Sequence, residues 1–595
     1  MCGICGVVQV GGEPRRVLAP GVLDRMTDAM THRGPDDRGT YEADGVALGV
    51  RRLSIVDVGG GHQPVSSEDG RVVAVQNGEL YNHTDLRREL ERGGHRFRSG
   101  CDTDVIPHLY EDSGPAFEER LRGKFAIAVW DERTRSAVVA RDRLGIKPLY
   151  YARCGDLLVF GSELKSVLAS GLVSSKLDYE AIDVYLTLSY FPGGRTPLAG
   201  VRKLEPGHRL EIGSGDVRVE RYWDFPEPTS APAARTEEET TEMLLELLDE
   251  AVRDRLMSDV PLGAMLSGGL DSSLVVALMA RHMTEPVKTF AIGFSDPGGD
   301  NELADARFVA ETLGTEHHEL ELSYESDVVD LPDLLWHLDE PVADLSALGF
   351  HALSRMASRH VTVALSGQGA DELFGGYRKH RAAAAVGTWR RTLGPAAGPL
   401  AGVEPGSAER AVRSALGDVG DDPLPAMLYL DGRLALVDDM VHYFDRASMA
   451  HGLEVRVPFL DHRLVEFCAT IPAGLKIRGR TQKYILKRAA QGLVPDRIVD
   501  KRKRGFFRRS SVGWLQAQMP GAVSDYLLGP SPRCAEFLDR DALERLLADY
   551  RAGRADRHVH LLIAVLLLEI WLTTYLPRAV AHPMQARERI VVGGA

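Results

Sequence analysis

Cysteine is scarce, with six in 595 residues, which excludes a disulfide framework. Long apolar runs are missing too. The longest, Leu561 to Leu568, is eight residues before Glu569 ends it. Eight residues cannot cross a bilayer, so a buried helix and no membrane partner are expected. Positive charge is not in excess. Lys+Arg is 71 against 85 Asp+Glu, a formal net charge of −14, so no nucleic-acid partner is expected. The start, Met1-Cys2-Gly3-Ile4-Cys5, has no basic region leading into an apolar core, and no secretion signal is read there. What is present is ordinary globular composition, 44% apolar and 26% charged. The length calls for two to four domains. The expectation is a multidomain cytoplasmic protein.

Along the first 210 residues, short strand-like runs such as Phe125 to Trp130 and Ala137 to Ala140 alternate with Gly, Asp and Asn turns. That pattern predicts stacked sheets with few helices. Pro226 to Arg235, PEPTSAPAAR, reads as a linker. Beyond it, amphipathic stretches such as Thr241 to Leu256 alternate with buried runs at Val260 to Leu266, Thr289 to Phe294 and Val361 to Leu365. This alternation predicts a parallel α/β sheet. Residues 380–450 and 480–580 read as mainly helical.

Cys2 is the first candidate for chemistry. Removal of Met1 would leave a free α-amine beside a thiol, and an amine with a pKa near 8 can serve as its own residue's base. Other segments supply what cleavage of a side-chain amide needs. The Asn77 side chain and the Gly78 N–H offer oxyanion donors. Arg52 offers a carboxylate clamp, and Asp102 a partner for an ammonium. Taken singly, each is an ordinary turn; Asn77-Gly78 alone reads as a hairpin turn. Together, MCGICGV, HRGPDD, RRLSIVD, NGELYN and RDRLGIKPLYY resemble class II, N-terminal-nucleophile glutamine amidotransferases over roughly the first 165 residues. The resemblance implies an αββα sandwich with Cys2 as nucleophile and base. It also implies Arg52, Leu53, Ser54, Ile55, Val56, Asn77, Gly78, Glu79 and Asp102 as the glutamine pocket.

A second constellation begins at Val260. A buried run leads into Ser267-Gly268-Gly269-Leu270-Asp271-Ser272 and a helix start, a ready anion site. No Gly-Lys-Ser/Thr follows, so it is not a Walker loop. It resembles the pyrophosphate loop of enzymes that split ATP between the α- and β-phosphates, with Asp271 on Mg²⁺. After Val361 to Leu365 comes Ser366-Gly367-Gln368-Gly369-Ala370-Asp371, where Asp371 is the second Mg²⁺ candidate. Lys483 could stabilise charge on a bound adenylate; by itself it reads as an exposed helix lysine.

From residue 2 to about 578 the chain resembles the glutamine-hydrolysing asparagine synthetases. The resemblance implies a glutaminase domain at 1–215, a linker at 216–236, an α/β ATP-pyrophosphatase-type synthetase domain with a helical C-terminal part at 237–580, and a tail at 581–595. It implies glutamine, ATP and a carboxylate, most simply aspartate, as substrates, and Mg²⁺ as cofactor. Leu266 and Ile292 would flank adenine, with Ser366 and Gly367 near the nucleotide. Many members are homodimers.

The chain departs from the family at three places. Gln368, at a catalytic position, stands where many members carry an acid. Tyr443 replaces a frequent Lys. Pro341 to Ala347, with Asp344 and Ser346, departs from a Thr-Thr-Ile-Arg pattern. All three bear on the acceptor, so amidation of another small carboxylate stays open. A sensor, a cyclase and a sugar-phosphate amidotransferase fit less well, because both the cysteine and the Ser-Gly-Gly-Leu-Asp-Ser loop are present. The basic run Lys501 to Arg509 reads as a phosphate-facing or solvated loop. Glu316 to Glu319 is not spaced for zinc, and Cys2 with Cys5 lacks the partners of a metal site.

Overall fold

The computed structural model describes residues 2–213, 215–227, 235–295, 301–323, 330–386, 406–417, 419, 422–501, 519–529, 532–552 and 559–581. Residues 228–234 of the linker, the basic run from Arg502 and all but one residue of the tail lie outside them.

The N-terminal half holds twelve strands. They are β1 Cys2–Gln9, β2 Asp37–Ala43, β3 Val46–Arg52, β4 Val65–Ser66, β5 Val72–Leu80, β6 Gly123–Asp131, β7 Ser136–Arg141, β8 Tyr150–Cys154, β9 Leu157–Gly161, β10 Val201–Lys203, β11 His208–Gly213 and β12 Asp216–Arg221. They form two six-stranded antiparallel sheets, ordered β10-β8-β9-β1-β3-β2 and β12-β11-β7-β6-β5-β4. Alternation along each strand decides the layers. Ile4 and Val8 of β1 meet Val73, Val75, Ala126 and Ala128 between the sheets. Cys5 and Val7 face the other way, onto helices Val22–Asp28 and Leu164–Leu168. Helices His83–Gly93 and Val105–Ser113 cover the second sheet through Leu86, Leu90, Ile106 and Leu109. The result is the αββα sandwich.

Two local readings change. Asn77-Gly78 is no hairpin turn; both residues lie inside β5, opposite Ala126 and Phe125 of β6. β12 pairs with β11 and occupies 216–221, so the second sheet extends into the stretch assigned to the linker.

The second half opens with helix Glu237–Asp254. Thr236 and Glu239 cap it reciprocally, and Glu237 to Glu239 sit at the positive end of its dipole. Leu244, Leu248, Ala251 and Val252 recur at helical spacing and are buried. Strands β13 Leu262–Met265, β14 Lys288–Phe294, β15 Glu316–Leu322, β16 Val363–Leu365 and β17 Glu454–Arg456 form a parallel sheet in the order β15-β14-β13-β16-β17. The order reverses at β13 and β16, where the carboxyl ends of such strands open a ligand crevice. The apolar run near the C-terminus belongs to a longer helical stretch, His560–Val580. By length and composition it could cross a membrane, but 72% of its apolar window is buried inside the molecule.

Candidate active site

Cys2 opens β1 and lies opposite Arg52 of β3. It is 5% exposed. Burial pushes its thiol up, with Leu53 and Arg52 among the groups pulling it back. The Cys2 backbone N–H donates to Asn77 Oδ1 at 3.2 Å, and Asn77 Nδ2 donates to Ser162 Oγ at 3.3 Å. Ser162 Oγ also accepts from the Ile4 N–H at 3.0 Å, which ties the nucleophile's strand to Asn77. Asp102 is buried, and its Oδ2 accepts from the Leu80 N–H at 2.7 Å and from Gln76 Nε2 at 3.2 Å. Gln63 brings Nε2 to 3.9 Å from Cys2 Sγ, while its Oε1 accepts from the Gln76 N–H.

The segment after Arg52 is less simple than expected. The Arg52 guanidinium donates to the carbonyls of Val56, Asp57 and Val58, folding this loop around itself. The Ser54 N–H donates to Asp36. Leu53 and Ile55 pack with Val363 of β16 and Met449, and the Ile55 carbonyl accepts from the Asp259 N–H. Part of the expected glutamine pocket therefore also forms the junction with the second half.

At the parallel sheet, the loop after β13 turns through Gly268. Its φ of +70° suits glycine, and a Cβ there would lie 2.5 Å from the Ala306 nitrogen. Ser267 Oγ and Ser272 Oγ are 3.0 Å apart across the turn. Asp271 starts helix Leu270–His282. Lys483 Nζ is 2.6 Å from Asp271 Oδ2 and 2.5 Å from Asp371 Oδ1. Lys483 is 4% exposed, so it is not the surface helix lysine its sequence context suggests. Gly376 makes room for the trio; a Cβ there would collide with Asp371 and Lys483. Asp271 Oδ1 is buried without a hydrogen-bond partner. Two facing carboxylates with one uncommitted oxygen suit a hard divalent cation such as Mg²⁺.

A cleft lies over these loops, at the carboxyl ends of the parallel strands where ligands bind in such sheets. Leu266, Phe290 and Ile292 form an apolar wall. Ser267, Asp271, Ser272, Ser366, Gly367 and Asp371 form the polar one, and Gln368 and Phe444 close one end. A second, mostly apolar cavity also touches Gln368 and Phe444. It continues past Met440, Val441 and Val455 to Ile146 of the N-terminal half.

Two family models match the chain: one described as asparagine synthase over residues 243–573, the other as a glutamine amidotransferase domain over residues 1–223. The chain belongs to the asparagine synthase family. It is 32% identical, across all of both chains, to asparagine synthetase (glutamine-hydrolyzing) 1 of Bacillus subtilis (strain 168). It is 33% identical to asparagine synthetase (glutamine-hydrolyzing) 3 of the same organism, over 84% of this chain and 86% of that one. Amidase chry2 of Gibberella zeae is 31% identical over 85% of this chain and 88% of its own. The chain is thus a glutamine-dependent amidotransferase of a family that uses ATP.

Two of the three departures from the family stand together. Tyr443 is buried, and Ser346, Asp344 and Asp439 are among the groups acting on its hydroxyl. Burial, then Asp371, pushes the Glu372 carboxyl up to about 7, and the Tyr377 hydroxyl donates to it at 2.5 Å. Burial and Asp344 raise Asp439 as well. Sequence reasoning missed Gln63, Ser162 and Glu372. Gln63 and Ser162 sit in no motif, and Glu372 directly follows the motif that ends at Asp371.

Proposed function

We propose that this member hydrolyses glutamine at Cys2 and passes ammonia to a carboxylate adenylated in the cleft, with L-aspartate as acceptor and L-asparagine, AMP and pyrophosphate as products. The observation that carries the reading is the pair of cavities meeting at Gln368 and Phe444, one over the nucleotide loop and the other reaching Ile146. Free ammonia is mostly protonated in neutral water, and an apolar passage keeps it nucleophilic.

With Met1 removed, the Cys2 amine takes the thiol proton and sulfur attacks the amide carbon of glutamine. Asn77 and the Gly78 N–H hold the oxyanion. Ammonia leaves, and water hydrolyses the thioester. Arg52, Glu79 and Asp102 hold the charged end of glutamine. In the cleft, the acceptor carboxylate attacks the α-phosphorus of ATP and pyrophosphate leaves. Ser267, Gly268, Gly269 and Ser272 cradle the phosphates, and Leu266 and Ile292 flank the adenine. Asp271 and Asp371 would hold Mg²⁺, which would neutralise charge on the departing pyrophosphate. Lys483 offers a further cation at that point. Ammonia then attacks the acyl carbon and AMP leaves. Gln368 is neutral and serves as a hydrogen-bonding group at the junction rather than as a base.

A second reading has a specific support. Asp344 and Ser346 act on the Tyr443 hydroxyl, so two of the chain's departures from the family stand together, which suits an acceptor other than aspartate. AMP and pyrophosphate release with glutamine and Mg·ATP, measured with and without L-aspartate and with Cys2→Ala as control, decides. Aspartate-dependent AMP with asparagine by mass, lost in the control on glutamine but kept on ammonia, is the expected result. Intact glutaminase with no response to aspartate overturns aspartate as acceptor and favours the second reading.

A further inference from the structure

The helical layer behind the second sheet carries a cluster that the amidotransferase chemistry does not use. Glu68 lies in the turn joining β4 to β5, and His95 follows helix His83–Gly93. His108 and Glu111 stand three residues apart on helix Val105–Ser113, and so share a face. One donor atom from each of the four lies within 4.8 Å of all the others. His95 Nδ1 is 3.2 Å from Glu68 Oε1, and His108 Nδ1 is 3.2 Å from Glu68 Oε2.

Two independent observations point to a ligand. His108 is 1% exposed, and its Nδ1, although 3.2 Å from Glu68 Oε2, is out of hydrogen-bonding geometry with it. A buried polar atom left this way is costly unless something fills the position. His95 turns its other nitrogen, Nε2, to Asp112 Oδ1 at 3.2 Å. A carboxylate on the outer nitrogen is the contact that orients a metal-bound histidine, and here it leaves Nδ1 directed at Glu68.

We propose that Glu68, His95, His108 and Glu111 form a zinc site. Two imidazoles and two carboxylates suit zinc and its neighbours rather than magnesium or calcium. Donors on a tetrahedral zinc lie about 3.3 Å apart, given bonds of 2.0–2.2 Å, which the imidazole–Glu68 spacings already match. The widest separation must close by about 1.5 Å from the observed 4.8 Å. Glu111 is the ligand that turns, releasing Arg133, which donates to its Oε1 at 3.1 Å and keeps Asp131 as a partner. The ion would tie the β4–β5 turn to the loop that carries Asp104 and Asp102, stiffening the glutamine pocket from behind.

The test uses the full-length protein, stripped with chelator and titrated with Zn²⁺ against a chromophoric competitor. Co²⁺ substitution reports geometry. One equivalent of zinc is expected, with a tetrahedral Co²⁺ band in the visible. Affinity should fall at least about 100-fold in His95→Ala and in Glu68→Gln, and about 10–100-fold in Asp112→Asn. Cys2→Ala should bind as the parent does, which separates this site from the thiol. No uptake at one equivalent overturns the proposal, and so does a change below tenfold in both ligand variants. His108 is left intact because its replacement in the core would confound binding with folding.

Discussion

Glu79 is a carboxylate in surroundings that oppose its charge. Burial first, then Glu454 and Asp102, push it up to about 8 against the pull of Arg456, whose Nη2 is 3.7 Å away. At pH 7 the proton is therefore mostly on. An α-ammonium brought beside it favours the carboxylate, so glutamine binding should release a proton. In Cys2→Ala, which binds without cleaving, glutamine affinity should rise between pH 6.5 and 8 by up to about tenfold per unit and then level off. Glu79→Gln should flatten the profile. Calorimetry in two buffers of different ionisation heat reads the proton directly. Affinity independent of pH, with no proton released, would sink the assignment of Glu79 to the ammonium. Residues of this kind were legible in sequence where a short motif holds them, as with Cys2, Asn77, Asp102, Asp271 and Asp371. Gln63, Ser162 and the four zinc candidates were not, because turns and helices far apart in the chain bring them together. Lys483 was seen but misplaced, since burial is a tertiary fact that a single amphipathic stretch does not state.

At the scale of elements, helix His442–Met449 joins the two chemistries. Its Asp445 accepts from Arg33 at 2.7 Å and from Lys147 at 2.7 Å, and it lines the apolar cavity. Arg33 Nε in turn donates to the Cys2 carbonyl. Burial raises the Asp445 carboxyl, but Arg33 and Lys147 outweigh it and hold it at about 2. Because the folded-state value lies below the unfolded one, this group's stability is present above pH 4 and is lost as pH falls toward 2. The shift corresponds to about 2 kcal/mol. Asp445→Asn leaves Lys147 buried without its carboxylate and Arg33 with Glu163 alone, a loss of about 3–5 kcal/mol, and should flatten the acid limb of stability. It should also uncouple the halves. Product formed per glutamine hydrolysed should fall several-fold, while synthesis from added ammonia is largely kept. An unchanged ratio would leave Asp445 a purely structural ion pair. The two domain types and the β13 and β16 runs were readable from periodicity and composition. The junction was not. Leu53 and Ile55 look like pocket residues in sequence, and their packing against Val363 and Met449 depends on a strand three hundred residues away.

Across the whole molecule the halves share one core. The cluster holding Val7, Met26, Leu164 and Tyr185 also holds Leu335, Leu338, Trp571 and Leu576. The Tyr185 hydroxyl donates to the Ala564 carbonyl at 2.9 Å, which places the apolar helical stretch His560–Val580 against the glutaminase half. Within it the run Leu561–Leu568 is apolar on all sides, as a buried helix is. Asp339 fixes the same seam. It pairs with Lys165 at 2.9 Å and accepts from the Tyr575 hydroxyl at 2.8 Å, and its carbonyl accepts from Trp571 Nε1 at 2.7 Å. Domain interfaces within a chain are usually more polar and looser than this. Cutting the seam would expose the apolar faces of helices Val22–Asp28 and Leu164–Leu168. It would also strip Lys147 of its carboxylate partner Asp445 and leave Lys165 with Glu163 alone. The full chain should therefore unfold in a single calorimetric transition, and a fragment of residues 1–223 should be aggregated or lack a cooperative transition. Two resolved transitions in the full chain, the lower reproduced by the isolated fragment, would show that each half folds alone and that the shared core contributes little. A single transition would make coupling between the sites a matter of one folded body, in which a change at the Cys2 strand is felt at the nucleotide loop through packing.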